Sequence, residues 1–305
     1  MQRWTGDIRP MGISTVFEAS DPGLLHAALG AYGAWPADAA SIEPPLLRIR
    51  LDLDVALDAA EGGDALDVRV DGGRLAMRGA GVEGGADAAR GEAWCTLSRS
   101  LAEDPRRLAA EVLDTLLLFL LTRAGRVPLH ASGVVVGGTA AVLAGPSGTG
   151  KSTLALAALG AGLPVLSDDT VYVQLRPRLR VWGFPRPIHV FPDDALAGAG
   201  GAARLRSGRW KTAVPLPPGG SLAAHCAALF LLERGDRVAL HPLGADEAVA
   251  RMTTLLEPGF DHFADQLAAA VRAVAAGGAW RLTLSADPAD AIRLVRDTLE
   301  AAAER

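Results

Sequence analysis

Short apolar runs that alternate with polar residues recur through the first hundred residues. The run "LLRIRLDLDV" (46–55) predicts a strand, and "ALDVRVDGGRLAMRG" (65–79) predicts a hairpin that turns at 71–73. The segment "EDPRRLAAEVLDTLLLFLLTRAG" (103–125) has helical spacing, with Pro105 near its start and Gly125 as its C-terminal cap. This pattern predicts a small α/β domain over residues 1–125.

The pattern changes after residue 125. Two β-branched runs flank Gly137 and Gly138, which predicts a hairpin whose second strand enters a Gly-rich loop. A helix is predicted from Lys151 to Ala161, followed by a strand that ends at an Asp pair and by further strands and helices. We expect residues 126–305 to form a second domain, with 195–209 as a mobile loop rich in Gly, Ala and Arg.

The Gly-rich loop matches the Walker A pattern, in which four residues separate a glycine from Gly-Lys-Ser/Thr. Its glycines turn backbone N–H groups inward, the lysine neutralises β and γ phosphate oxygens, and the hydroxyl of Ser152 is placed to ligate Mg²⁺. The motif lies between a predicted strand and a predicted helix, which is the context it requires. The predicted nucleotide-binding residues are Gly145, Pro146, Ser147, Gly148, Thr149, Gly150, Lys151, Ser152 and Thr153.

Lysine and asparagine usage narrows the class of nucleotide-binding protein. The chain has no asparagine and only two lysines, Lys151 and Lys211, among 30 lysines and arginines. Guanine-reading GTPases need an Asn-Lys-x-Asp motif and two-lobed protein kinases need a catalytic-loop asparagine, so both are excluded. A transport-ATPase signature of the LSGGQ type is also missing. Small P-loop phosphotransferases and regulatory ATPases remain.

Composition sets the expected partners and compartment. A net charge of −5 and a pI near 5.7 provide no general basic face, so no nucleic-acid partner is expected. The apolar run 116–121 is far shorter than the roughly 20 residues that span a bilayer, and no signal peptide is recognisable, so we expect no membrane association. Cys95 and Cys226 lack metal-ligand spacing and are expected to be buried thiols in a reducing cytoplasm, the alternative being a bridge between them.

Asp168 and Asp169 follow the apolar stretch "LPVL", at the predicted carboxyl end of a strand beside the P-loop strand. Open α/β sheets bind ligands at such ends. A carboxylate there holds Mg²⁺ or takes the proton of an attacking hydroxyl; the alternative is a polar turn. Both carboxylates reach one site only if the chain turns there. His130 is a candidate to hydrogen-bond one aspartate or contact phosphate, the alternative being a core or surface histidine.

The segment from His130 to Val173 resembles the core of the HPr serine kinase/phosphorylase family. That family has a histidine before a strand hairpin, a Walker A loop, a short helix, a glycine and an Asp-Asp pair. The resemblance implies an α/β P-loop kinase domain with a mixed sheet of the HPr-kinase type, behind a small α/β N-terminal domain. It implies a catalytic set of Asp168, Asp169, His130 and Lys151, with Asp168 as the base and Mg²⁺ held by Ser152 and Asp169.

The family's Glu-x-Arg-Gly signature is missing, and the corresponding region reads "VWGFPRPIHVF", with Arg186 as its charged residue. The sequence is more similar to HPr-kinase-related proteins found with peptide-modification genes, including lasso-peptide precursor kinases. We therefore expect an ATP- and Mg²⁺-dependent cytoplasmic kinase, a homo-oligomer, that phosphorylates a serine of a peptide or protein. The N-terminal domain would recruit that substrate. A small-molecule hydroxyl kinase and a nucleotide-sensing regulator are the alternatives.

Overall fold

The computed structural model describes residues 2–33, 35, 46–60, 66–79, 81–184, 186–190, 204–206, 209–217, 222–256 and 263–304. The chain divides into two compact units, Met1–Arg126 and Val127–Arg305. Both units combine helices with sheet, so the protein is a mixed α/β structure. No helix within the described ranges is long and apolar enough to span a membrane.

Unit 1 contains a seven-stranded sheet with the order β1-β2-β3-β7-β6-β5-β4. Its strands are β1 (Trp4–Ile8), β2 (Thr15–Ala19), β3 (Leu47–Leu53), β4 (Asp67–Asp71), β5 (Arg74–Gly79), β6 (Val82–Asp87) and β7 (Glu92–Leu97). The pairs β2–β3 and β3–β7 are parallel, and the other pairs are antiparallel. The strand predicted within 46–55 and the hairpin turning at 71–73 are both confirmed.

The helices of unit 1 are α1 (Pro22–Gly30), α2 (Arg99–Ala102), α3 (Pro105–Arg107) and α4 (Asp114–Arg123), with short 3₁₀ segments at Pro10–Gly12 and Val55–Ala60. A π-helical segment, Leu108–Leu113, joins α3 to α4. The helix predicted over 103–125 is therefore confirmed, although its periodicity gave no sign of the π-helical turn. The helix starts at Asp104, whose carboxylate accepts hydrogen bonds from the N–H groups of Arg106 and Arg107, both at 3.1 Å.

Unit 2 is built on a six-stranded sheet with the order β11-β9-β10-β18-β20-β19. Unit 2 also contains a four-stranded sheet with the order β17-β13-β12-β8 and a three-stranded sheet with the order β14-β16-β15. The strands are β8 (Arg126–Leu129), β9 (Ala131–Val136), β10 (Thr139–Ala144), β11 (Val165–Ser167), β12 (Val171–Gln174), β13 (Arg180–Trp182), β14 (Ile188–Val190), β15 (Arg204–Arg206), β16 (Arg209–Val214), β17 (Ala223–Ala224), β18 (Cys226–Arg234), β19 (Ala239–Pro242) and β20 (Ala279–Leu284).

Four helices cover the six-stranded sheet: α5 (Lys151–Gly160), α6 (Ala245–Thr254), α7 (Ala264–Ala275) and α8 (Pro288–Ala303). Side chains at alternate positions, such as Phe230 and Leu232, face a core shared with α5 and α8. The intervening positions, such as Leu229 and Leu231, face a second core with α6 and α7. Because both faces are covered, the central strands are apolar at nearly every position, as is typical of buried sheets.

Three expectations are corrected by the structure. The strand before Asp168 is not beside the P-loop strand, because β9 lies between β11 and β10 and pairs antiparallel with both. The loop expected over 195–209 contains the strand β15, which pairs with β16; residues 195–203, 207 and 208 lie outside the described ranges. Cys95 is buried, as expected, but Cys226 is exposed at the start of β18.

Gly183 allows the chain after β13 to pass directly against β11. A Cβ atom at this position would lie 2.0 Å from the carbonyl oxygen of Leu166, which is closer than real Cβ atoms come to backbone. Leu166 precedes Asp168 by two residues, so this close approach helps to set the position of that aspartate.

We predict that Gly183→Ala lowers the free energy of unfolding by about 1–3 kcal/mol, because the added methyl group must displace backbone rather than a flexible side chain. Urea denaturation measures the change. Gly160→Ala, at the end of α5, is the matched control, since a Cβ there meets nothing within 4 Å. Equal stability of Gly183→Ala and the unchanged protein would contradict the packing described.

Candidate active site

Four strands of unit 2 end at one edge of the six-stranded sheet. Strand β10 pairs parallel with β18, and β18 pairs parallel with β20. Strand β11 runs in the same direction as β10, because β9 is antiparallel to both. The carboxyl ends of β11, β10, β18 and β20 therefore lead into Asp168, the P-loop, Arg234 and Ser285 in that spatial order. His130 immediately precedes β9 at the same edge. This is the edge where open α/β sheets bind ligands.

The P-loop forms a backbone cradle at the start of α5. Gly148 and Gly150 adopt φ values of 82° and 120°, a region that other residues rarely enter. Helix α5 begins after Gly150 with no side-chain cap, so its first N–H groups point into the cradle. Thr149 closes the turn by donating a 2.6 Å hydrogen bond to the carbonyl of Pro146. The cradle fits an anion such as a polyphosphate.

The ammonium group of Lys151 lies over this cradle. Its Nζ atom donates hydrogen bonds to the carbonyl oxygens of Gly145, at 2.7 Å, and Pro146, at 3.3 Å. The side chain is buried, with 7% exposure. A buried cation held against the loop favours phosphate oxygens in the same cradle, because a low local dielectric strengthens the attraction.

Asp168 is a buried residue held by strands β14 and β9. Its Oδ2 atom accepts a 3.0 Å hydrogen bond from the backbone N–H of His189, and Ser132 donates a hydrogen bond to its carbonyl oxygen. The Ser152 hydroxyl is close enough to favour the charged carboxylate. The second oxygen, Oδ1, is buried without a well-formed hydrogen bond from the described residues. The carboxylate therefore lies directly beside the first turn of the P-loop helix.

Burial raises the pKa of Asp168 above its ordinary value of 3.8, because the charged form loses its water. The hydrogen bonds from His189 and Ser152 oppose this shift, the charge of Asp169 adds to it, and the charge of Lys211 lowers it. The net shift is upward, which suits a carboxylate that must accept a proton.

Asp169 differs from its neighbour. Its side chain is 83% exposed, and its Oδ1 atom lies 3.8 Å from Nδ1 of His130, whose side chain is only 14% exposed. The structure thus brings His130 to Asp169 and Ser152 to Asp168. The two carboxylates lie at one edge of the sheet in different environments, so they are suited to different roles.

Two further groups at this site were not assigned from the sequence. Lys211, on β16, lies close enough for its charge to lower the pKa of Asp168. The available signal in the sequence was the rarity of lysine, because Lys211 is one of only two lysines in the chain. The backbone N–H of His189 left no signal, because any residue type supplies such a donor. Arg186, the charged residue of the segment "VWGFPRPIHVF", stacks on the ring of Phe184, with its guanidinium carbon 4.7 Å from the ring centroid.

The oxygen-bearing side chains here suit Mg²⁺. Among the described residues, no group of three or more His, Cys, Asp and Glu side chains could hold a metal ion by itself. Mg²⁺ in nucleotide sites commonly takes only one or two protein ligands and completes its shell with phosphates and water. A site containing Ser152 and one carboxylate fits that arrangement. The assignment of Asp169 to the metal stays a prediction.

No protein-family model and no curated protein matches this chain. Among solved structures, the chain is similar to the Hpr(Ser) kinase/phosphatase from Coxiella burnetii, with 12% sequence identity and a TM-score of 0.30. The match covers 58% of this chain and 99% of that chain.

We predict that Asp168→Asn stabilises the protein at neutral pH. A raised pKa means that the folded state disfavours the carboxylate, so stability falls as pH rises from 3.8 through the raised value. Removing the charge removes this penalty. Thermal unfolding should show a melting temperature a few degrees higher at pH 7.5, with the gain shrinking as pH falls towards 4.

Asp169→Asn is the matched control, because its side chain is exposed, and it should change the melting temperature little at either pH. If Asp168→Asn instead destabilised the protein, and did so more at pH 7.5 than near pH 4, the hydrogen bonds of the carboxylate would outweigh the cost of its burial.

Proposed function

We propose that unit 2 is an ATP-dependent kinase that transfers the γ-phosphoryl group to a serine hydroxyl of a peptide or protein. The observation that carries this proposal is the contact between the P-loop helix and a buried carboxylate of raised pKa. The P-loop supports binding of a phosphoryl donor, and Asp168 beside Ser152 supports the presence of a base within reach of that donor. A carboxylate whose pKa is raised suits proton transfer better than it suits nucleotide binding alone.

In the proposed reaction, Asp168 takes the proton from the acceptor hydroxyl. A bond then forms between the serine oxygen and the γ-phosphorus, while the bond from that phosphorus to the β–γ bridging oxygen breaks. Lys151 and the N-terminus of α5 neutralise the phosphate oxygens on the donor side. Mg²⁺ bound with the nucleotide would offset further negative charge on those oxygens. Lys211 adds positive charge beside Asp168, where the transferred group must pass.

His130 and Asp169 form a second pair in this proposal. Their 3.8 Å separation allows an ionic contact when the imidazole is protonated, and this contact orients Asp169 at the mouth of the site. An exposed carboxylate held in this way is suited to a metal whose other ligands are water and phosphate. We therefore keep Asp168 as the base and Asp169 with Ser152 as the metal ligands.

We predict that Asp168→Asn lowers the rate of phosphoryl transfer by at least about 100-fold while leaving Mg·ATP affinity nearly unchanged, because an amide cannot accept the proton. The measurement follows γ-labelled ATP incubated with the full chain and either serine-containing peptides or small hydroxyl compounds. Transfer unaffected by the substitution would refute the base. Labelling of small compounds alone would favour a small-molecule kinase, and ATP binding without any labelled acceptor would favour a regulator.

Asp169→Asn separates the metal role from the base. The Asp169→Asn variant should need a higher Mg²⁺ concentration for half-maximal activity. Its transfer rate should recover at saturating Mg²⁺, because phosphates and water complete the metal shell. The deficit of Asp168→Asn should persist at every Mg²⁺ concentration. Recovery of Asp168→Asn by Mg²⁺ would identify Asp168 as a metal ligand instead.

Unit 1 is proposed to recruit the acceptor. A cleft of about 500 Å³ lies on its sheet. Its lining includes the half-exposed Trp94, three arginines and three acidic residues: Arg69, Arg74, Arg90, Asp71, Asp87 and Glu92. Aromatic and arginine side chains are typical of surfaces that bind protein segments.

We predict that Trp94→Ala raises KM for a protein acceptor by about tenfold and leaves KM for ATP unchanged. Initial rates over a range of acceptor concentrations provide the test. Trp4→Ala is the matched control, because Trp4 is 43% exposed, against 42% for Trp94, and lies on the edge strand β1, three strands from β7 in the same sheet. Equal effects of the two substitutions would contradict recruitment through the cleft.

A further inference from the structure

Strand β4 forms one edge of the seven-stranded sheet in unit 1. Among the described strands it pairs with β5 alone, and each of its five residues is exposed. An edge strand carries unpaired backbone N–H and C=O groups, which are a template for a further strand. Proteins often protect such edges with a proline or a β-bulge. Strand β4, with the sequence "DVRVD", contains no proline, and its pairing with β5 has no shift of register.

The turn between β4 and β5 determines which backbone groups of β4 point away from the sheet. It has two residues and is closed by the pair Asp71–Arg74, which is therefore a hydrogen-bonded pair. Bonded and non-bonded pairs alternate along an antiparallel ladder. The N–H and C=O groups of Val68 and Val70 therefore point outward, and the same alternation includes Leu66, one residue before the strand.

The side chains of Val68 and Val70 continue the apolar face of the sheet to its edge. They lie directly opposite Met77 and Leu75, which are buried, and so project from the same face. The two valines themselves are 40% and 37% exposed. Another strand beside β4 would therefore remove apolar surface from water as well as pair the backbone.

The opposite face of β4 carries charges of both signs. Nε of Arg69 lies 2.8 Å from Oδ2 of Asp67, and their side chains are 82% and 55% exposed. An antiparallel copy of β4 centred on Val68 would place Arg69 opposite Asp67 of the second copy, and the reverse pair would form by symmetry. Opposite charges at facing positions stabilise strand pairing. The strand is therefore complementary in charge to itself.

Hydrogen bonding and charge together select this register. Centred on Val68, the outward groups of Val68 face their own counterparts, and those of Val70 face Leu66 of the second copy. A register centred on Arg69 would place like charges opposite each other, which is destabilising. A register centred on Val70 would bring the turn at 72–73 into the ladder, where it cannot continue as a strand.

We propose that two copies of this chain associate through β4, antiparallel about a twofold axis at Val68, so that their sheets become continuous. Such a contact uses the same surface on both copies and closes as a dimer. Strand pairing of this length is at the small end of specific interfaces, so we expect a Kd on the order of 10 µM. The proposal does not depend on the proposed function, because it concerns association and not phosphoryl transfer.

Sedimentation velocity of the full chain from about 1 to about 100 µM tests the proposal and should show a monomer converting to a dimer. Val68→Lys should raise the Kd at least about tenfold, because two ammonium groups would face each other at the twofold axis. Val55→Lys is the matched control and should leave the Kd unchanged, since Val55 is 70% exposed and lies in the 3₁₀ segment after β3.

A charge exchange tests the register. Arg69→Asp should weaken the dimer at least about tenfold, because it places carboxylates opposite each other. Adding Asp67→Arg to this variant restores opposite charges at facing positions, and the Kd should return to within about threefold of its original value. Recovery of the dimer in the double variant would also show that the loss in the single variant is not a failure to fold.

Three results would overturn the proposal. A chain that stays monomeric over the whole range would leave β4 without this partner. A dimer that Val68→Lys and Val55→Lys affect equally would have its interface elsewhere. A folded double variant that stays as weak as Arg69→Asp would exclude the pairing of Arg69 with Asp67.

Discussion

The parallel pairing of β10 with β18 and of β18 with β20 is the constraint on which the rest of the site depends. Strands that run together end together, so the loops that follow them share one edge of the sheet. The antiparallel strand β9 keeps β11 in the same direction and adds Asp168 to that edge. No single loop needs to carry the whole site, because strand direction alone brings the P-loop, a carboxylate and an arginine together.

The groups at this edge of the sheet favour ligand binding but oppose folding. The P-loop leaves helix N–H groups without side-chain caps, and Asp168 buries a carboxylate whose pKa is raised by loss of water. Each feature costs stability, but the uncapped N–H groups are suited to binding an anion and the buried carboxylate is suited to accepting a proton. Features that oppose folding are expected to concentrate at functional sites, since elsewhere the core is apolar and close-packed.

Much of this arrangement could be predicted from the sequence, because local patterns determine it. Residue spacing and turn chemistry predict the hairpin at Gly137 and Gly138, the helix that starts at Lys151, and the strands β18, β19 and β20. Strand order could not be read in this way, which is why β11 was expected beside β10. Backbone donors such as the His189 N–H carry no residue signature, and the burial of Asp168 against the exposure of Asp169 depends on tertiary packing.

The central claim is that the donor lies along this edge with its γ-phosphoryl group at Asp168. A crystal structure of the full chain with Mg²⁺ and a non-hydrolysable ATP analogue tests this most directly. We expect the phosphates in the P-loop, with room for one acceptor hydroxyl between the γ-phosphorus and the Asp168 carboxylate. A nucleotide in the reverse orientation, with its base at Asp168 and its γ-phosphoryl group beside Ser285, would contradict it.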